Sequence, residues 1–446
     1  MHWLVPRALA VLAVAAGASW LLTPPAARLG VKLGLVDHPS SRRVKSRPVP
    51  TSGGLVVFGA FVASMIAMLL LHEGAPDALT NKIMALLLGG TAVLILGMAD
   101  DKHVLAPWVK LLVQVGVATA MVFAGLGIER VHIPMGPMIQ LGWWSYPLTV
   151  LWFVGFMNAL NLIDGLDGLA SGIVAITSCT MLLVGFMDSA AVLTFMCASL
   201  LGSTIGFLLH NFPKGDVYLG DAGSTVLGFF LAGTATLGAA NDGASKSLLI
   251  AGACMAVPAF DVATSIARRW RSRKGIMTAD RSHVHHRLIR FGLSPRMTVL
   301  VLWGATVFFA GQMLGLLARF GFLYTLGSYA VAGVVLNALR LQRRKNIKTT
   351  GRDLKDEVFY LLGARDSVDD EAEGDDGGLR KMIMDQLRRE VKYRKIVREE
   401  NGARGPRPAP PQPRPSPTAS NRAPQTVPDD SERPPEPVGA LDKDAE

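Results

Sequence analysis

Asn158, Asn161, Asp164 and Asp167 stand at steps of three where an apolar run ends, in NALNLIDGLDGL. That spacing puts them on one helical face if the helix continues. Four oxygen-bearing side chains with no Lys or Arg nearby suit a divalent cation or a hydrogen-bonded polar ligand. Gly165 and Gly168 permit a tight turn into the next apolar run. Asp100 and Asp101 form a second acidic site at the end of another run. Adjacent carboxylates beside hydrocarbon are costly unless they serve a cation or a proton transfer; the plainer reading is a polar tip that stops a helix. Lys110 follows near the start of the next run. Asp221 opens the DAGST start of a further run. It could cap that helix, or hold Mg²⁺ bridging phosphates and leave the helix N-terminus for the anion. Tyr218 could stack on a base or sit at a membrane interface.

Two basic segments complement these acids. Residues 24–52 carry Arg28, Lys32, Arg42, Arg43, Lys45 and Arg47 ahead of a Pro-x-Pro-x-x-Gly-Gly turn that opens a helix. Such a turn suits an anion, although orientation in a membrane explains the charge as well. ADRSHVHHRL contains Asp280, Arg281, His283, His285, His286 and Arg287. Three closely spaced histidines could suggest zinc, but there is no HExxH helix or supporting cysteine, and the arginines would repel a cation. His and Arg together match pyrophosphate charge better.

Apolar residues make up 50% of the chain and charged residues only 18%, which points to a membrane protein. The +10 net charge lies beside apolar spans, where orientation and anionic lipid account for it, and no nucleic-acid motif is present. Cys179, Cys197 and Cys254 lie inside apolar runs without metal or redox spacing. Stretches of about 20 apolar residues cross a bilayer. Eleven are expected: 3–24, 53–72, 83–99, 107–125, 146–163, 168–187, 189–208, 222–240, 246–266, 297–317 and 320–340. The first reads as an uncleaved span with its N-terminus outside, because the basic loop after it belongs in the cytoplasm. With that start the inward loops hold seventeen Lys and Arg and the outward loops three, which orients the chain with its C-terminus inside. All the chemistry-bearing loops then share the cytoplasmic face. An outward segment, 126–145, is expected to hold a small β-hairpin. The fold class is thus an all-α polytopic membrane protein. Its organisation is a transmembrane catalytic domain over 1–340, a charged helical segment over 341–404, and a disordered Pro-rich tail over 405–446.

Five motifs occur in order: DHPSSRRVKSRPVPTSGG, GMADDKHVLAPWVK, NALNLIDGLDGLASG, VYLGDAGS and DRSHVHHRL. Together they resemble the polyprenyl-phosphate N-acetylhexosamine-1-phosphate transferases over about residues 30–295. That family includes undecaprenyl-phosphate GlcNAc-1-phosphate transferases of O-antigen and teichoic acid synthesis and phospho-N-acetylmuramoyl-pentapeptide transferase. The resemblance implies attack by a polyprenyl phosphate on the β-phosphorus of a UDP-sugar, with release of UMP, at the inner (cytoplasmic) membrane. It implies Mg²⁺, with Mn²⁺ as a substitute, held by Asn161 and Asp221. Asp100 and Asp101 would position or deprotonate the lipid phosphate; a covalent intermediate is the competing proposal. Asp164 and Asp167 would line the nucleotide site, with Tyr218 stacked on uracil. Lys45, Arg47, Lys110, His283, His285, His286 and Arg287 would meet the substrates' phosphates. The implied partners are the UDP-sugar, the lipid phosphate and the membrane; a homodimer stays open. His-x-His-His-Arg matches the GlcNAc-1-phosphate branch, while Lys45 stands where that branch carries His, which keeps a muramoyl-pentapeptide donor as the alternative. A transporter and a lipid-diphosphate hydrolase are the other classes. The first lacks an inverted repeat here, and the second would use water as acceptor.

Overall fold

A computed structural model describes residues 3–37, 48–71, 77–133, 136–213, 215–242, 246–271, 283–317, 327–329 and 333. Long apolar runs become helices because every backbone polar group is then satisfied within its own segment. They are α1 (Leu4–Leu33), α2 (Gly53–Leu71), α3 (Asp77–His103), α4 (Pro107–Phe123), α5 (Ser145–Ile163) and α6 (Leu169–Met187). Then follow α7 (Ala191–Asn211), α8 (Gly220–Asp242), α9 (Lys246–Cys254), α10 (Ala256–Arg271), α11 (Val284–Arg290) and α12 (Pro295–Leu317). Seven helices are long and apolar enough to cross a membrane, or eight if α9 and α10 form one bent span, so this is a multi-pass membrane protein. α2 and α4 are apolar but shorter. Helices lie at ten of the eleven expected positions. The eleventh, 320–340, falls outside the described residues except at 327–329 and 333, as do the segments 341–404 and 405–446.

Two expected spans differ in form. The ninth is not one rod: α9 and α10 meet at 58°. Pro258 has no N–H to donate to the Cys254 carbonyl, so the helical ladder fails there. The first span does not stop at residue 24, because α1 continues through Pro24–Pro25 to Leu33 and takes in Arg28 and Lys32. Pro24 cannot bond the Trp20 carbonyl; the ring of His210, on α7, meets that oxygen at 3.2 Å instead. α1 and α7 pack tightly enough for this because of two glycines a turn apart. A Cβ at Gly202 would lie 2.4 Å from the Leu12 carbonyl oxygen, and one at Gly206 2.3 Å from that of Ala16.

α8 is the innermost helix, with 94% of its apolar window buried. Phe229 and Phe230 on it pack against Phe153 and Phe61, with ring centroids 5.3 and 4.2 Å apart. Everything that meets the N-terminus of α8 is therefore held by the core. The hairpin expected in 126–145 is present: β3 (Arg130–His132) pairs antiparallel with β4 (Met138–Gln140). It joins the end of α4 to the start of α5. The 17-residue α4 separates it by about 25 Å from the loop before Pro107. An additional pair, β1 (Val36–Asp37) with β2 (Val49–Pro50), leads into α2.

Candidate active site

The site begins with a close approach of backbones. A Cβ at Gly97 would lie 2.2 Å from Ala222 Cα, and one at Gly54 would lie 2.7 Å from the Gly223 nitrogen. Only glycine lets α2 and α3 close on the first turn of α8 in this way. Gly53 and Gly54 donate their N–H groups to the Tyr218 and Leu219 carbonyls, at 3.0 and 3.2 Å. The Gly-Gly turn is therefore a packing joint, and those two amides do not serve an anion.

Gly97 stands one helical turn before the acidic pair and so delivers it to α8. Asp101 Oδ1 accepts the Asp221 N–H at 2.8 Å and Oδ2 accepts the Ala222 N–H at 3.2 Å. Asp101 is thus the cap of α8, supplied from another helix. This corrects both sequence expectations for that helix start: Asp221 is not its cap, and these two amides are not left for an anion. Gly220, at φ +73°, makes the turn that presents them.

Asp100 faces the other way. Its Oδ2 lies 2.6 Å from Lys110 Nζ, and its Oδ1 accepts the Leu105 N–H at 2.8 Å. Lys110 Nζ also reaches Asp221 Oδ2 at 3.4 Å. The Asp100 side chain is only 4% exposed, whereas that of Asp221 is 42% exposed. Asp100 is sealed against its lysine, and Asp221 is the carboxylate that an incoming group meets. Asn161 lines the same cavity as Asp221, and its Nδ2 donates to Ser224 Oγ at 3.2 Å.

The Asn/Asp series at steps of three does not stay on one face. α5 ends at Ile163, and Asp164 is its C-cap at φ −73°, ψ 55°. Asn158 turns to Gln114 on α4, Nδ2 to Oε1 at 2.6 Å, while Asn161 turns to α8. Asp100, Lys110, Gln114, Asn158, Asn161, Asp221 and Thr225 line one small cavity of about 20 Å³, room for a single water-sized group. Two carboxylates share one lysine there, so the cavity keeps a net negative charge. Carboxylate and amide oxygens are hard donors of the kind Mg²⁺ takes, and the residues fit such an ion. Among the described residues no three His, Cys, Asp or Glu converge on one point. An ion at Asp221 and Asn161 would therefore complete its shell with water or substrate oxygens, as Mg²⁺ does.

A second cluster adjoins this one through the 164–168 loop. Asn211, a residue the sequence reading missed, is buried at the end of α7 and clamps that loop. Its Oδ1 accepts the Gly168 N–H at 2.7 Å, and its Nδ2 donates to the Val217 carbonyl at 2.9 Å. The loop carrying Asp164 and Asp167 is so joined to the loop carrying Tyr218. The Tyr218 N–H donates to the Pro50 carbonyl at 2.8 Å. His285 is 2% exposed and sits directly on Gly165, where a Cβ would lie 2.3 Å from its Nε2. Neither of its ring nitrogens has a hydrogen-bond partner among the described residues. Burial, with His286 and His283 beside it, pushes the His285 imidazole down to about 4, so the ring is neutral at pH 7. Burial also lowers His286, with help from His283 and Arg290. His285 is therefore a neutral hydrogen-bonding group, while Arg287 and Arg290 on the same segment are exposed. Buried His283 bonds Asp261, on α10, at 2.8 Å. Asp261 was also missed, although one carboxylate in an apolar run was the signal. Lys45, Arg47, Asp280 and Arg281 lie outside the described residues.

Residues 83–239 match the family model described as glycosyl transferase family 4, a stretch that holds every residue of the acidic cavity. The probable undecaprenyl-phosphate N-acetylglucosaminyl 1-phosphate transferase of Bacillus subtilis is 38% identical over 64% of this chain and 77% of its own. The decaprenyl-phosphate N-acetylglucosaminephosphotransferase of Mycobacterium tuberculosis is 31% identical over 71% and 85%. The undecaprenyl-phosphate alpha-N-acetylglucosaminyl 1-phosphate transferase of Salmonella typhi is 27% identical over 64% and 77%. With its acidic residues gathered at one end of a helical membrane bundle, the chain belongs to the polyprenyl-phosphate N-acetylhexosamine-1-phosphate transferases of glycosyl transferase family 4, and it is a phosphotransferase enzyme.

Proposed function

We propose that this enzyme transfers a HexNAc-1-phosphate, GlcNAc-1-phosphate first among them, from a UDP-sugar to undecaprenyl phosphate, initiating a cell-surface polysaccharide. A phosphate oxygen of the lipid attacks the β-phosphorus of the donor. The bond from that phosphorus to the bridging oxygen breaks, and UMP leaves with the electron pair. The observation that carries this reading is the meeting of Asp100, Lys110, Asn161 and Asp221 in one cleft, from four helices. Such a site can position two phosphates and balance their charge, which is most of what phosphoryl transfer asks of a protein.

Asp221 and Asn161 would hold Mg²⁺, which would neutralise the donor diphosphate and the charge that builds on the leaving phosphate. Lys110, already between Asp100 and Asp221, would swing onto a phosphate when one arrives. Asp100 orients Lys110, and Asp101 acts through α8 by holding Asp221 in place. The neutral His285 would donate a hydrogen bond to a phosphate oxygen; His283 holds the segment, and His286 and Arg287 would meet charge at the rim. Asp164, Asp167 and Tyr218, joined through Asn211, would form the nucleoside wall, with Lys45 and Arg47 near the lipid phosphate. The reading places this face in the cytoplasm, with eleven spans. The Lys and Arg asymmetry and the hairpin at the far end support that orientation.

The test uses purified protein with labelled UDP-GlcNAc, UDP-GalNAc or UDP-MurNAc-pentapeptide, undecaprenyl phosphate and Mg²⁺. Equal release of UMP and formation of lipid-linked sugar phosphate is the expected result. No UMP from any donor would overturn the reading, and UMP without lipid product would make the protein a hydrolase.

A further inference from the structure

Asp261 lies on the apolar stretch of α10 and is 1% exposed. An ionised carboxylate there costs several kcal/mol unless both oxygens are satisfied. Both are, and by one short piece of chain. Oδ2 meets His283 Nδ1 at 2.8 Å, and Oδ1 accepts the Val284 N–H at 2.8 Å. His283 stands immediately before α11, and its own side chain makes no cap on that helix. The cap is instead Asp261, twenty-three positions before the Val284 amide it accepts.

This capping has a consequence for the residues that follow. α11 has only seven residues, too few to be stable alone. It carries His285 and His286. The His283 and His285 rings are nearly parallel, 5° apart in plane with centroids 5.9 Å apart. His285 in turn lies on Gly165, at the middle of the loop that bears Asp164 and Asp167. A physical chain thus runs from Asp261 through His283 and Val284 to His285 and then to Gly165. Asp101 does the same for Asp221 at the start of α8.

We propose that Asp261 is a positioning residue for phosphotransfer. It anchors the histidine segment to α10 through His283 and the Val284 amide, and so sets His285 against the 164–168 loop. The proposal deepens the reading that this segment meets the donor diphosphate, and rests on it. Asp261 itself touches no substrate.

The variants are Asp261→Ala, Asp261→Asn, His283→Ala and the double alanine variant, each in the full-length protein. The first measurement is steady-state transfer with UDP-GlcNAc and undecaprenyl phosphate varied separately. Asp261→Ala should raise KM for the donor or lower kcat roughly ten- to a hundredfold, the scale of an ångström's misplacement. KM for the lipid should stay within about twofold of wild type, since the anchor lies on the donor side. Asp261→Asn keeps an acceptor for the Val284 amide and should recover much of the loss. The double variant should lose no more than the worse single one, because both break one link. The second measurement needs no turnover: amide exchange of the 283–290 peptide should quicken at least about tenfold in Asp261→Ala. Unchanged donor kinetics with unchanged exchange would overturn the proposal, and so would additive losses in the double variant. Equal damage to both substrates with no rescue by Asn would reduce Asp261 to a general folding residue. If wild type releases no UMP, the transferase reading fails, and the exchange measurement alone then decides whether Asp261 anchors the segment.

Discussion

Asp101→Asn separates two roles that an acidic pair can have. Both carboxylate oxygens accept amides of α8, at 2.8 and 3.2 Å. Asparagine keeps the shape but offers one oxygen, so its NH₂ must face one of those N–H donors. One amide is left without an acceptor, which costs about 1–3 kcal/mol. The negative charge that complements the helix N-terminus is also lost, for about 0.3–1 kcal/mol. The sum is about 1–4 kcal/mol, borne at the turn that holds Asp221. The expected result is a lower midpoint of thermal inactivation in detergent together with a fall in kcat of at least about tenfold, since Asp221 would lose its place. Asp101→Ala should be worse, because it strands both amides. A proton-accepting role at the lipid phosphate makes a different forecast: turnover lost with stability intact. An Asp101→Asn protein that melts with wild type and is inactive would refute the capping argument.

Gly97→Ala should act at the same joint, since its methyl would fall 2.2 Å from Ala222 Cα. α3 and α8 must part, so transfer activity should fall below about a tenth of wild type; near-normal turnover would show that the close approach is dispensable. Asp221→Ala should abolish Mg²⁺-dependent transfer measured as UMP release, and retained turnover would remove Asp221 from the metal site. His285 makes a pH forecast. Its folded value of about 4 lies below the unfolded value of about 6.5, so between the two the unfolded chain binds the extra proton. Stability from this group is whole above pH 6.5 and is lost as pH falls towards 4, by about 3 kcal/mol in all. Thermal inactivation measured from pH 7 to 4 should lose part of its acid sensitivity in His285→Gln; an unchanged pH profile would place His285 elsewhere than against Gly165. Removal of 405–446 should leave turnover in membranes within about twofold, because every residue of the acidic cavity precedes it; a large loss would give the tail a catalytic part.

The spans were legible because hydrocarbon imposes one rule on every segment: length and apolarity, with backbone bonds closed locally. That rule is local, so its failures are the places where a distant residue intervenes. α1 passes Pro24 because His210, 190 positions away, meets the Trp20 carbonyl. The hairpin was legible from its turn residues, while β1–β2 depends on pairing across a basic loop that carries no strand pattern. The acidic residues were legible as a set for a similar reason. Carboxylates are rare beside hydrocarbon, so Asp100, Asp101, Asn161 and Asp221 stand out, and a count of basic residues in loops puts them at one end.

What spacing could not reveal is how the two members of an adjacent pair divide. Asp100 and Asp101 differ by one position on α3, which turns one towards Lys110 and the other onto α8. Nothing in DD distinguishes them; Gly97 and Gly220 do, through the backbone approach they allow. Asp261 was passed over because it lies inside a span, where a single carboxylate in sixteen residues reads as tolerable. Yet the same physical need explains both capping acids. The helix starts that carry Asp221 and His285 have no cap of their own among the described contacts, since a residue occupied with capping is not free to meet a phosphate. The cap comes from a neighbouring helix instead, Asp101 for α8 and Asp261 for α11. If that division is general to the site, the first-turn side chains at both helix starts stay available to substrate only while these two remote acids hold. Asp101→Asn and Asp261→Ala should then both lower transfer while Asp221 and His285 are intact, and transfer at the wild-type rate in either would break the rule.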